Sequence, residues 1–197
     1  MSSPDKTRAE RSLREKGARK TDDCGELYER ARIGRTRKLA FAAMFAALAL
    51  IFSYVEMLVP IPVPIPGVKL GLANLVILIA LSRLGFRYAF TINCVRIVIA
   101  GLLFSGVFGM LYSFGGGILS ILVMYLLYRT KRFSMVGISM AGGVMHNLGQ
   151  LLTACAIMSN ISLLSYFAVL FFSGLISGIL IGILAYSIEQ RLPADFR

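Results

Sequence analysis

Acid is scarce in this chain once its N-terminal stretch is past. Of ten Asp and Glu in 197 residues, seven lie before residue 38, and only Glu56, Glu189 and Asp195 follow. Histidine is scarcer still: His146 stands alone. A single imidazole with no second His or Cys at ligand spacing is a poor metal site, and it excludes a bis-histidine haem. The three cysteines, Cys24, Cys94 and Cys155, are far apart and include no C-x-x-C pair, so no disulfide framework follows from them. Cys94 and Cys155 read as small apolar residues within helices. The phosphate-cradling pattern G-x-x-x-x-G-K-S/T does not occur, so any nucleotide-driven work needs a partner. A secretory signal, with a short basic start followed at once by an apolar core, is not the reading of residues 1–37 either.

Apolar residues are what the chain does have. They make up 57% of it, with a mean hydropathy of +0.74, well above the roughly 45–50% of soluble domains. This composition predicts a membrane protein. Net charge is +11, but twelve of the 21 Lys and Arg fall between Lys6 and Lys38. The basic excess therefore describes a tail and a set of turns, not a nucleic-acid groove. Residues 1–37 read as a basic, disordered cytoplasmic tail, and the run Arg30, Arg32, Arg35, Arg37, Lys38 abuts the first apolar segment, where it can touch anionic headgroups.

Six apolar segments follow, over 38–57, 68–83, 86–105, 109–128, 136–158 and 163–188. Most approach the ~20 residues that cross a bilayer. Lys and Arg mark alternate turns: the tail, Arg83 and Arg87, then Arg129, Lys131 and Arg132, then Arg191 and Arg197. The turns near 106–108 and 159–162 carry none, which predicts six spans with both termini cytoplasmic. The expected architecture is an all-α, six-transmembrane-helix bundle over 38–190, with a short cytoplasmic end at 191–197. Small residues line two segments. Gly174, Gly178 and Gly182 stand four apart, and Ala42/Ala46 and Ala43/Ala47 form overlapping A-x-x-x-A pairs. That spacing lets helices approach closely, either inside the bundle or against another membrane subunit.

Polar side chains within such segments cost kilocalories and ask for a reason. Glu56, Lys69, Asn74, Asn93, Arg96, Tyr112, His146, Asn147 and Gln150 are the set. Arg96 falls near the middle of the third segment. It either pairs with Glu56 for structure or presents a guanidinium to a hydrated pocket, ready for a phosphate, carboxylate or carbonyl oxygen. His146 and Gln150 are four apart on one helix face, with Asn147 about 100° around. They either bond between helices or line the same pocket. Gly115-Gly116-Gly117 reads as close helix packing. Pro60, Pro62, Pro64 and Pro66 force an extended run ending in Gly67. At membrane depth such a run must be covered by protein or line a cavity. It reads as a rigid roof that delivers Lys69 and Asn74 beside Glu56, or as a stiff connector.

The motifs P-G-V-K-L-G-L-A-N (66–74), Arg96 with G-L-L-F-S-G (101–106), L-Y-S-F-G-G-G (111–117) and H-N-L-G-Q (146–150) resemble the family called Gx transporters, also labelled heptaprenyl diphosphate synthase component I. The resemblance covers about residues 38–188. Its members are similar to the substrate-binding S-components of energy-coupling-factor vitamin transporters, six-helix proteins of the bacterial cytoplasmic membrane. That similarity implies capture of a small molecule and partnership with a coupling transmembrane subunit and two ATPases. It also implies that Ala42, Ala43, Ala46 and Ala47 contact the coupling subunit. The family's association with flavin- or quinone-related redox systems puts such ligands first, and no covalent cofactor is expected, since D-x-x-S/T-G-A-T is missing. The synthase label implies clustered acids for Mg²⁺ on a diphosphate. The only adjacent pair, Asp22-Asp23, lies in the tail, so an enzyme acting alone is not expected. An accessory role to a synthase, or a membrane subunit of a redox complex, stays open beside transport.

Overall fold

In the computed structural model, residues 34, 36–58 and 71–192 are described. The chain divides into two units, residues 1–41 and 42–197. In the first, the described residues begin a helix, where the Arg37 guanidinium lies 5.9 Å from the Phe41 ring centre, within cation–π range.

The described residues form no strand. Their helices are α1 (Thr36–Leu58), then α2 (Leu72–Arg83), α3 (Phe86–Ala100), α4 (Gly106–Thr130), α5 (Met135–Met158) and α6 (Phe167–Arg191). A π-helical turn, Gly101–Ser105, joins α3 to α4, and a 3₁₀ turn, Ile161–Tyr166, leads into α6. Among the described residues, three helical stretches are long and apolar enough to cross a membrane: Thr36–Leu58, Phe86–Thr130 and Ile161–Arg191. Large apolar side chains stay exposed along them, among them Leu39, Met44, Ile51, Leu102, Phe172 and Ile176. Water would not tolerate so much contiguous apolar surface; lipid does. The chain is a membrane protein. Met135–Met158, at 24 residues, matches the shortest of these stretches, but His146, Asn147 and Gln150 make it more polar.

The 45-residue stretch Phe86–Thr130 is not one rod. Gly106 has φ +69° and ψ 174°, a region open in practice only to glycine. There the chain reverses. A side chain at Gly117 would meet Asn93 and Ile97, one at Gly101 would meet Met110, and the Phe86 and Tyr125 rings lie 4.5 Å apart. α3 and α4 therefore run back along each other, and the reversal falls where the sequence predicts a turn. The predicted break at Leu84-Gly85 is also present, with Gly85 at φ +87°.

α2 is the central post. At twelve residues it spans only about 18 Å at 1.5 Å per residue. It has no polar face to turn outward, and eight of its residues, Ala73 and Leu75 to Leu81, are buried. A helix apolar all round belongs inside. Its C-terminal end is fixed by Arg83, whose guanidinium donates to the Glu189 carbonyl at 2.8 Å and lies 3.6 Å from the Glu189 carboxylate.

Glycines set how α4, α5 and α6 meet. A Cβ on Gly149 would lie 2.4 Å from the Gly115 carbonyl oxygen. One on Gly143 would lie 2.5 Å from that of Gly174, and one on Gly178 would lie 2.6 Å from Met140 Cα. These backbones touch because nothing stands between them, so the 174/178/182 stripe is spent inside the bundle against α5. The same holds for Gly115-Gly116-Gly117, which packs on α5 and α3. Of the two alanine pairs on α1, Ala42 is buried and Ala46 packs on the core, while Ala43 and Ala47 are exposed.

Candidate functional site

A cavity of about 160 Å³ lies at the N-terminal end of α2. Each long helix reaches it. α1 brings Ser53, Glu56 and Met57; α2 and its lead-in bring Gly71 and Asn74; α3 brings Arg96 and Ile97. The π turn brings Phe104 and Ser105, α4 brings Met110 and Ser113, α5 brings Ser139, His146 and Asn147, and α6 brings Ser177 and Ile181.

Arg96 is buried. Its Nη1 donates to Ser53 Oγ at 3.2 Å, and its Nη2 to Asn93 Oδ1 at 2.9 Å, one turn earlier on α3. Ser53 in turn donates to the Ala49 carbonyl at 2.9 Å. A guanidinium has five N–H donors. No described residue accepts from the rest, and the Nε is sealed from solvent without an acceptor. The acceptors among the described residues are neutral groups, Ser53 and Asn93.

Glu56 has a local task. Its Oε1 accepts the Leu72 amide at 2.7 Å. Gly71, the residue before α2, lies at φ +80° and supplies no side-chain cap. The α1 carboxylate therefore satisfies an orphan amide and sits at the positive end of α2. Asn74 donates to Ser120 Oγ at 3.5 Å, and Ser120 donates to the Gly142 carbonyl at 2.8 Å. Asn147 donates to the Leu170 carbonyl at 2.7 Å, reaching α6 beside Gly174. Glu56, Asn74 and Asn147 thus join helices at the cavity wall while also lining the space.

Of the residues singled out from sequence, Glu56, Asn74, Arg96, His146 and Asn147 share this cavity. Lys69 lies outside the described residues, as do Pro60 to Gly67. Tyr112 and Gln150 do not line it. Tyr112 is one position, about 100°, from Ser113, which does. Gln150 is one turn further along α5 than His146, and its side chain lies where a Cβ on Gly116 would go. The sequence reading missed the five serines, the two methionines and Phe104. Serine is too common in apolar helices to stand out, although Ser53 lies three residues before Glu56 and so shares its face.

No cluster of three or more His, Cys, Asp or Glu able to hold a metal ion occurs among the described residues. The arrangement offers hydrogen-bond donors and one buried cation, with a soft wall of Phe104, Met57 and Met110. That combination suits binding an acceptor-bearing organic molecule.

Residues 45–188 match a family model described as heptaprenyl diphosphate synthase component I. No curated protein and no solved structure matches the chain.

Proposed function

The chain belongs to the heptaprenyl diphosphate synthase component I family, and from that premise we propose that it is the substrate-capturing membrane subunit of an uptake system, akin to an energy-coupling-factor S-component. The observation that carries the reading is the convergence of Arg96, Glu56, Asn74, His146 and Asn147 on one cavity. Chain segments more than ninety residues apart supply them, and the guanidinium keeps donors that no described residue accepts. A buried cation in that state favours a ligand that brings an oxygen acceptor.

On this reading the bundle spans a bacterial cytoplasmic membrane six times, with both termini cytoplasmic, and the cavity lies toward the outer side. The placement of Arg83, Arg87, Arg129, Lys131 and Arg132 at one set of turns supports that orientation. The chain has no nucleotide motif, so a coupling subunit and ATPases supply the energy. Ala43 and Ala47, exposed on α1, are the small-residue face left for the coupling subunit. The ligand is a flavin- or quinone-related molecule or another compact acceptor, held without a covalent bond. The protein is not itself an enzyme. The family's description favours a second reading, an accessory component of a prenyl diphosphate synthase.

Purified protein, extracted and analysed by mass spectrometry, tests this. The wild type should carry a small molecule that Arg96→Gln loses. A charged hydrogen bond of about 1.5–3 kcal/mol corresponds to roughly 10- to 100-fold in affinity. Turnover of allylic diphosphates with Mg²⁺ by this chain alone would overturn the proposal.

A further inference from the structure

Two of the cavity's lining residues are exposed, Met57 at the end of α1 and Ser105 in the π turn. They mark its mouth. The mouth's surroundings are apolar. On the α1 side stand Tyr54 and Leu58, at 48% and 59% exposure; on the other side stand Leu102, Leu103, Val107 and Phe108, all above 60%. The two sides meet where the Tyr54 and Phe104 rings lie 5.6 Å apart. The interior is mixed: beside apolar residues such as Ile97, Phe104, Met110 and Ile181, its described lining holds one arginine, one carboxylate, His146, serines and asparagines.

Size matters here. Pockets that enclose a whole drug-sized ligand run to about 300–1,000 Å³, and this one has about 160 Å³. It holds a compact group, and anything larger must protrude through the mouth. What protrudes meets an apolar rim on a membrane protein.

We infer that the cavity takes the head of an amphiphile, a compact carbonyl- or carboxylate-bearing group donated to by Arg96, while a hydrocarbon tail leaves between Met57 and Ser105 along the apolar rim. This deepens the capture reading and rests on it. With Arg96 and Glu56 both in its described lining, the cavity carries one formal charge of each sign, which suits a neutral or singly charged head and disfavours a dianion. Each methylene of the tail that leaves water for the rim adds about 0.8 kcal/mol, until the tail emerges into lipid and further length adds nothing.

The test uses the full chain in lipid nanodiscs and compares butyrate, dodecanoate and dodecyl phosphate, counting only binding that Arg96→Gln abolishes. Dodecanoate is expected to bind at least tenfold more tightly than butyrate, and more tightly than dodecyl phosphate. Leu103→Ser with Phe108→Ser should remove the dodecanoate advantage and leave butyrate unchanged. A dodecanoate carrying a terminal diazirine needs no variant. It should label residues 102–108 and 57–58 and be displaced by unlabelled dodecanoate. Equal arginine-dependent affinity for butyrate and dodecanoate, or labelling spread evenly over the outer face of α6, overturns the amphiphile and leaves the capture site standing. Stronger binding of dodecyl phosphate overturns the head assignment. Binding of every probe without dependence on Arg96 sinks the capture reading as well.

Discussion

Arg96 shows how much a single residue type reveals in an apolar chain. Its cost in hydrocarbon, about 2.5–3.5 kcal/mol on insertion scales, demands polar company, and Ser53 and Asn93 supply it. Arg96→Lys keeps the charge but loses the planar fork that reaches both partners. It is expected to fold and to bind ligand more weakly than wild type, by about tenfold or more, in a direct titration. Ser53→Ala removes one anchor only, and should cost less affinity than Arg96→Lys in the same assay. Glu56 was picked out from sequence as a ligand contact. Its carboxylate also caps α2, so Glu56→Gln should lower the melting temperature even without ligand. The capping bond is worth about 1 kcal/mol.

At the scale of the elements, glycine positions decide which helices touch. Gly143→Ala puts a methyl 2.5 Å from the Gly174 carbonyl oxygen, and backbone on both sides cannot move aside. Overpacking of this kind costs about 1–3 kcal/mol or more, visible as lost folded protein or a lower melting temperature. Gly137 lies on the same helix but meets only side-chain atoms, at 3.6 Å or beyond. Gly137→Ala is expected to be neutral or to stabilise by up to about 1 kcal/mol, since alanine is the better helix former. Gly106→Ala tests the hairpin. Its φ of +69° with an extended ψ costs a side chain about 1–3 kcal/mol. The strain falls on the turn carrying Phe104 and Ser105, so ligand binding should weaken along with stability.

At the scale of the molecule, α1 has two small-residue faces with different fates. Ala42 is buried and Ala46 packs on the core; Ala43 and Ala47 look outward. Ala42→Leu should reduce folded protein. Ala43→Leu with Ala47→Leu should leave ligand binding within about twofold of wild type and abolish uptake measured in whole cells. Equal loss of binding and uptake would remove α1 as the docking face. The π turn belongs to this scale too, because it closes the cavity and opens its mouth at once. Widened helical turns of this type recur at functional sites.

The amino-acid sequence by itself determined the helical class, the membrane setting and most of the helix limits. Those follow from local causes: apolar runs of fixed length, and glycines at the breaks after α2 and after the π turn. It also singled out Arg96, His146 and Asn147, because polar groups in hydrocarbon are rare enough to count one by one. Only the tertiary structure decided which of them meet. Tyr112 and Gln150 differ from true lining residues by 100° of helix phase or one turn of rise, and a sequence has no fixed origin for either. The serines around Arg96 and the division of the α1 alanines into inner and outer pairs were decided the same way. Each depends on which neighbouring helix arrives, and that is set by contacts between residues far apart in the chain.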